Sequence, residues 1–365
     1  MPRAASTKPR GWVGLAAFVA ISVALLVLFA PNRRSEAAGG MALATPLPTA
    51  IPKGVELVVG DPVTQWVFEH NGWDRKMPFT LRWAQITGGP DVTEAFHAKA
   101  LDVGLGANVP PIHANWVGLP VRIVAIRERA DPIGHPSFVL GIAPHAGIAT
   151  PADLRGKRIA FSPSQIQGQI VLQTLAAAGL NRRDVTLVEL PSSIGGDVYT
   201  SALASGVVDA APIGAGIVAE RYLRKFASAG ARVIKHPPFR DDMVVAYVPE
   251  SVLRDPGKAA ALALFVRWWG RAQAWQQTHR AELAAGYYVA HQGLSPADAR
   301  LIVDAIGDVA LPTDWHRAVR HQQEAIDLLA PQVHRPRFAA TTLFDPRFQT
   351  LASTGAAFSS KPQEP

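Results

Sequence analysis

Small polar side chains gather in one loop of this chain. Ser162, Ser164, Gln165 and Gln167 stand between a short apolar strand, Lys157–Phe161, and an apolar-periodic helix that ends at Gly179. Hydroxyls and carboxamides at a helix start donate hydrogen bonds, and the helix adds free N–H groups and a positive field. The chemistry this suits is the holding of an anionic head or a neutral polar ligand. It does not suit a nucleotide, because the loop lacks the GxxxxGK[ST] pattern. Covalent chemistry has few candidates. The chain has no cysteine, so disulfides, thiolate zinc sites, cysteine nucleophiles and a lipid-modified cysteine are excluded. Its 11 histidines show no HExxH spacing; His113, His135 and His145 cluster only loosely, as do His316, His321 and His334. Asp102 and Asp209 occupy like positions before short strands. Each reads as closing a helix-to-strand turn onto nearby backbone rather than as half of an acid–base pair.

These residues need a scaffold, and 365 residues with 48% apolar content are enough for two domains. The formal charge is +7, but residues 1–44 hold five basic residues against Glu36, and the remainder carries a net +3. No dense Lys/Arg stripe with interleaved aromatics is present, so nucleic acid is not an expected partner. Arg3, Lys8 and Arg10 precede twenty largely apolar residues, 11–30. That order reads as an export signal or an N-terminal membrane anchor within residues 1–44, and places the body of the chain in the periplasm or on the outer face of the cytoplasmic membrane. Residues 45–54 read as a Pro-rich spacer.

Strands and helices then alternate. VELVVGD, FTLRWAQI, DVGLG and PVRIVAIRE read as strands, with helices at 62–73, 88–101 and after Ala107. The alternation restarts at ATPADLRG, a short helix capped by Thr150 with Pro151 behind it. KRIAF, DVTLVEL and VVDAAPI follow as strands. GGPDVTEAFHAKALDVG from Gly88 and GGDVYTSALASGVVDAA from Gly195 share one plan: paired glycines, Asp-Val, an amphipathic helix and a short strand near an Asp. Alternation argues a mostly parallel sheet with covered faces, and the restart argues two such α/β units. VVAYVPESVL reads as a further strand and turn. Residues 261–293, 294–309 and 314–330 read as amphipathic helices, the first carrying Trp268, Trp269, Trp275, Tyr287 and Tyr288 as core packing.

The ordered series GGPDVTEAFHAKALDVGLGANVPP, TPADLRGKRIAFSPSQIQGQIVLQTLAAAGL, DVTLVELPSS and MVVAYVPESVLRDP resembles the substrate-binding proteins of ABC importers for nitrate, sulfonates and taurine, over roughly Val55 to Phe348. The resemblance implies the type II periplasmic-binding-protein fold: two Rossmann-like α/β lobes, two crossover connections and a ligand cleft between the lobes. Carried onto this chain, lobe one is 55–143 plus 241–350, lobe two is 144–240, and 351–365 is a flexible tail. It implies capture of a small molecule by lobe closure, delivery to a permease with its ATPase, no cofactor and no catalysis. An enzyme on the same fold or an anchored sensory domain are the alternatives. Cleft residues are then expected at the C-terminal ends of strands: Gln65, Trp66, Gly88, Gly89, Asn108 and Arg127 from lobe one, and Ser162, Ser164, Gln165, Gln167, Ser193, Gly195 and Pro212 from lobe two. Asn108 and Val109 stand where sulfonate-binding relatives often carry hydroxyls. An aromatic sulfonate or a thiamine-precursor-like ring would use Trp66 for stacking.

Overall fold

A computed structural model describes residue 43 and residues 45–86, 88–191 and 197–359. The apolar run 11–30 and the loop residues Ser193 and Gly195 lie outside the described residues. Among the described residues no helix is long and apolar enough to cross a membrane.

Among the described residues, eleven strands form two sheets. They are β1 (Glu56–Gly60), β2 (Thr80–Trp83), β3 (Val103–Ala107), β4 (Val121–Arg129), β5 (Phe138–Ile142), β6 (Arg158–Phe161), β7 (Thr186–Glu189), β8 (Ala210–Gly214), β9 (Arg232–Ile234), β10 (Val244–Pro249) and β11 (Val309–Ala310). The first sheet has the order β11-β4-β10-β3-β1-β2 and the second β7-β6-β8-β5-β9. Strand β4 shows why its sequence lies at the centre: Val121, Ile123, Val124, Ala125 and Ile126 are all buried, which only a strand covered on both faces allows. Strand β10 lies antiparallel between β3 and β4, so the chain after the second sheet returns to complete the first.

The helices used below are α1 (Pro62–His70), α2 (Gly89–His97), α3 (Val109–Trp116), α4 (Ile166–Ala177), α5 (Asp197–Ala204), α6 (Ile217–Phe226), α7 (Glu250–Arg254), α8 (Pro256–Thr278), α9 (Arg280–Leu283), α10 (Pro296–Ile306), α11 (His316–Leu329) and α12 (Leu351–Ser359). The expected continuous helix over 261–293 is three pieces: α8 ends at Thr278, α9 follows His279, and Ala284–His291 is π-helical.

The two sheets share a local device. Asp102 accepts from the Val58 amide at 3.0 Å, and its own N–H donates to Val58 O at 2.9 Å. Asp209 accepts from the Arg158 amide at 2.7 Å, and its N–H donates to Arg158 O at 2.8 Å. In each sheet an Asp before the third strand of a β-α-β unit pins the first, and Lys258 or Arg158 neutralises it. Both carboxylates are therefore structural groups at the strands' N-terminal ends.

Two boundaries differ from the sequence reading. Strand β5 lies inside 55–143, yet it pairs with β8 and β9 of the second sheet. The crossovers are residues 130–137 and 235–243. They are tied together by buried carboxylates: Asp241 accepts from the amides of Ser137 and Phe138 at 2.9 and 2.7 Å, and Asp242 from that of Arg129 at 2.6 Å. The second difference is the tail. Leu351–Ser359 is helix α12 and packs along α8. Gly270 and Gly355 permit it, because a Cβ on either would collide with the backbone of the facing helix, at Ala352 and Arg267. Two helices without side chains at the crossing can bring their backbones together, and Leu351 and Ala352 are buried there. The spacer is likewise attached to the body: Leu47 and Ile51 pack on the core, and Arg347 donates to Thr45 O at 2.9 Å.

Candidate functional site

Strands β1, β3 and β4 of the first sheet run in one direction, and their C-terminal ends deliver Asp61, Asn108 and Arg127 to one edge. In the second sheet, parallel β6 and β8 end at Phe161 and Gly214. The loops after these strands meet. A Cβ on Gly89 would stand 3.6 Å from Gln165 Oε1, and Asn108 Nδ2 donates to Gln169 Oε1 at 2.9 Å.

The loop Ser162–Gln165 turns tightly, with Gln165 N–H donating to Ser162 O at 3.2 Å and Gly168 N–H to Gln165 O at 3.0 Å. Gly168 is required by closeness: an added Cβ would lie 2.9 Å from the Ser162 carbonyl carbon and 3.0 Å from Pro163 Cα. The helix start that results is open. Gln165 is the N-cap of α4 but makes no side-chain cap, and the amides of Ile166 and Gln167 have no acceptor among the described residues. Ser162 and Gln165 are buried, and Gln167 Oε1 is buried without a partner. Tyr199, on α5 beside Ser162, is also buried; burial raises its phenol's pKa and the Ser162 hydroxyl opposes the shift. An unpaired buried polar atom such as Gln167 Oε1 is costly, so it marks a place that a ligand or water completes.

From the first lobe, α2 and α3 also begin without side-chain caps, at Gly88 and Asn108. Gly88 has φ +94, which a residue with a side chain adopts only under strain. By contrast α1 is capped by Asp61, which accepts from Thr64 N at 3.1 Å. Pro90, Pro110 and Pro111 each remove one donor, so α4 offers the fullest set of free amides. Three helix starts arranged this way favour negative charge between them.

A second group borders the same edge. Arg127 donates to Gln273 Oε1 at 2.8 Å, and no carboxylate of the described residues lies within ion-pair distance of it. Burial lowers its pKa from the ordinary arginine value, while Asp61 opposes the shift. Burial raises the pKa of Asp61. Tyr288, on the π-helical segment, faces both, and burial pushes its phenol up to about 12. All three side chains are deep yet keep accessible surface, as side chains lining a cleft do.

The expected site residues divide accordingly. Gly89 and Asn108 are brought against the Ser162–Gln169 stretch, Gly89 beside Gln165 and Asn108 bonded to Gln169; Gly88 adjoins Gly89, Ser164 and Gln167 belong to that stretch, and Arg127 stands near the C-terminal end of β4. Asn108 is committed to bridging the lobes through Gln169, and Gln322 of α11 donates to its carbonyl at 2.7 Å. Gln65 is occupied on the surface: it donates to Glu69 at 2.7 Å and accepts from Gln85 at 2.8 Å. Trp66 stacks on His70 at 4.5 Å and tilts against Trp275 and Tyr287, with Gly286 beneath its ring. That is packing of α1 on α8 and the π-helical segment. Pro212 is not in a loop but inside β8, buried opposite Leu140; the strand ends two residues later. Sequence reasoning missed Gln169, Gln273 and Tyr288. The only trace of Gln169 was its position four residues after Gln165, which puts both on one helix face.

Residues 69–224 match the model of the NMT1/THI5-like family. A protein of Escherichia coli (strain K12) described as an aliphatic sulfonates-binding protein is 29% identical over 105 residues, 29% of this chain. The match spans 32% of that relative's length. Among solved structures, the alkanesulfonate-binding protein SsuA from Xanthomonas axonopodis pv. citri, bound to MOPS, superposes with a TM-score of 0.65 at 20% identity, over 81% of this chain and 99% of that one. The periplasmic aliphatic sulphonate binding protein SsuA from Escherichia coli gives 0.66 at 20% identity, over 83% and 99%. The desulfurization enzyme DszB gives 0.55 at 18% identity, over 82% and 98%. With two α/β lobes, two crossovers and an inserted second lobe, this chain has the periplasmic-binding-protein fold and carries an NMT1/THI5-like segment within it.

Proposed function

We propose that this chain is the extracytoplasmic solute-binding component of an ABC importer. It holds a small molecule with an anionic head, such as an aliphatic or aromatic sulfonate, between its lobes and hands it to a permease served by an ATPase. The observation that carries this reading is the open start of α4. Free amides at Ile166 and Gln167, with the buried groups of Ser162, Gln165 and Gln167, face the uncapped starts of α2 and α3. The head group replaces the missing acceptors, and Arg127, bonded to Gln273 but without an ion-pair partner among the described residues, supplies positive charge from the end of β4. The sulfonate-binding relatives support the ligand class. DszB shows that the fold also hosts an enzyme; with no cysteine in the chain, and no catalytic pair in the cleft among the described residues, binding without chemistry is the better reading.

Native mass spectrometry of the purified protein, followed by calorimetry with alkanesulfonates, aromatic sulfonates, sulfate and nitrate, tests it. A retained anion that titrates with one site per chain is the expected result. No retained molecule and no heat with any member of the panel overturns it. For location, residues 1–54 fused to a reporter active only outside the cytoplasm should give activity; an intact but inactive fusion removes the extracytoplasmic assignment.

A further inference from the structure

One helix of each lobe runs alongside the crossovers. Helix α6 follows β8 of the second sheet, and α10 leads into β11 of the first. They lie antiparallel, because Gly216 before α6 meets Ala305 near the end of α10, while Arg221 and Arg224 further along α6 meet Asp298 near the start of α10. The Gly216 end is next to the crossovers: Ala215 N–H donates to Ser137 O at 2.9 Å. The Asp298 end lies more than a helical turn away from them. Rotation of one lobe on the other about residues 130–137 and 235–243 therefore moves the Asp298 end most.

We propose that Asp298, gripped by Arg221 and Arg224, is a clasp that holds the two lobes in one relative orientation. Arg221 Nη2 lies 3.0 Å from Asp298 Oδ2, and Arg224 Nη2 lies 3.5 Å from Oδ1. The carboxylate is nearly covered, with 11% of its side chain exposed, whereas the two arginines keep 51% and 63%. A covered anion between two solvent-exposed cations suits a contact that makes and breaks. The Arg221 hydrogen bond, with the nearby Arg224 charge, holds the Asp298 carboxyl below the ordinary value, so it stays charged while the clasp is engaged. Ser295 fixes the carboxylate's base by accepting from Asp298 N at 3.1 Å. At the other end the fit is steric. Gly216 has φ +85, and a Cβ there would stand 2.8 Å from Ala305 Cβ, so only the Ala305 methyl lies between the helices.

The clasp is testable without knowing the ligand. Because the chain has no cysteine, Lys76→Cys in the first lobe and Val207→Cys in the second, both exposed, give two unique spin-label sites on the full-length chain held in detergent. Distances are read by pulsed electron paramagnetic resonance in three backgrounds: the labelled parent, Asp298→Asn, and the double change Arg221→Gln with Arg224→Gln. The double change leaves the Ser295 cap untouched, so it stays informative should Asp298→Asn fail to fold. The clasped population is expected to fall about two- to five-fold against the alternative in either variant. High salt should reproduce the effect in the parent and add nothing in the variants. Ala305→Leu, which wedges the near end, should shift the distance in the same sense. Unchanged distance distributions in the folded variants, or an unchanged parent at high salt, overturn the clasp.

Discussion

Replacing Gly168 with alanine adds one methyl group at the third residue of α4. On helix propensity alone the change should help, since alanine in a helix is favoured over glycine by roughly 0.5–1 kcal/mol. The structure says otherwise. The new Cβ would lie 2.9 Å from the Ser162 carbonyl carbon and 3.0 Å from Pro163 Cα, with the carbonyl oxygen nearer still. Ordinary contact distances start near 3.5 Å, so the loop must retreat by about half an ångström or more. These are backbone atoms, and they cannot rotate away as a side-chain tip can. Overpacking of this kind costs about 1–3 kcal/mol, and with backbone atoms this close the upper part of that range applies, which outweighs the propensity gain by up to about 2.5 kcal/mol. The retreat also carries Ser162 and Gln165 away from the amides of Ile166 and Gln167. Losing one or two hydrogen bonds to an anionic ligand, at about 1.5–3 kcal/mol each, weakens binding at least tenfold. Calorimetry with the anion found by native mass spectrometry, beside a thermal melt, reads both effects. An alanine variant that melts at or above the parent and binds equally well would refute the argument, because it would mean that the tight turn at Ser162 does not shape the site.

Three further outcomes follow from the structure. Asn108→Ala and Gln169→Ala should each destabilise the protein by about 1–3 kcal/mol in urea unfolding, since each strands a buried carboxamide, and their double-mutant cycle should show a coupling of about 0.5–1.5 kcal/mol. Additive losses would place the two side chains out of contact. Gly355→Ala should lower the melting temperature by forcing α12 off α8, whereas a flexible tail would leave it unchanged. The Asp298 carboxyl is held below its unfolded value, so its contribution is complete above that value, about 3.9, and is lost as pH falls through the lower folded one. The inter-lobe distance in the spin-labelled chain should be constant from pH 8 to pH 5 and change only below about pH 4. A transition near pH 6 would assign the control to a histidine instead.

Much of the fold was legible because its elements obey local rules. The burial of β4 on both faces appears in the sequence as the apolar stretch Ile123–Ile126, and Thr150 and Pro151 announce their capped turn directly. Strand β5 was not legible. Its five residues, FVLGI, follow a loop containing Pro132 and Pro136, and nothing local says that they pair with β8 rather than with the first sheet. That choice is made by Asp241, about a hundred residues away, whose carboxylate takes the Ser137 and Phe138 amides. Helix α12 was hidden for a related reason. Glycine at 355 lowers helix propensity, and only the facing Gly270 turns that weakness into close packing.

The candidate site divides along the same line. Its backbone part could be read, because a strand, a loop of small polar residues and a helix start follow one another in sequence. Its side-chain part could not, because each choice depends on a partner in another element. Trp66 offers the same flat ring whether it faces a ligand or packs on His70 and Gly286, and only the approach of the π-helical segment decides between them. Gln165 and Gln169 are alike in type and share a helix face. Yet Asn108 occupies Gln169 and Gln165 makes no side-chain cap, so the lobe that arrives from elsewhere in the chain determines which carboxamide joins the lobes and which is left over. A residue's availability for binding is thus set by what its neighbours have already satisfied. That is why α4, whose first amides no part of the described chain satisfies, carries the functional reading here.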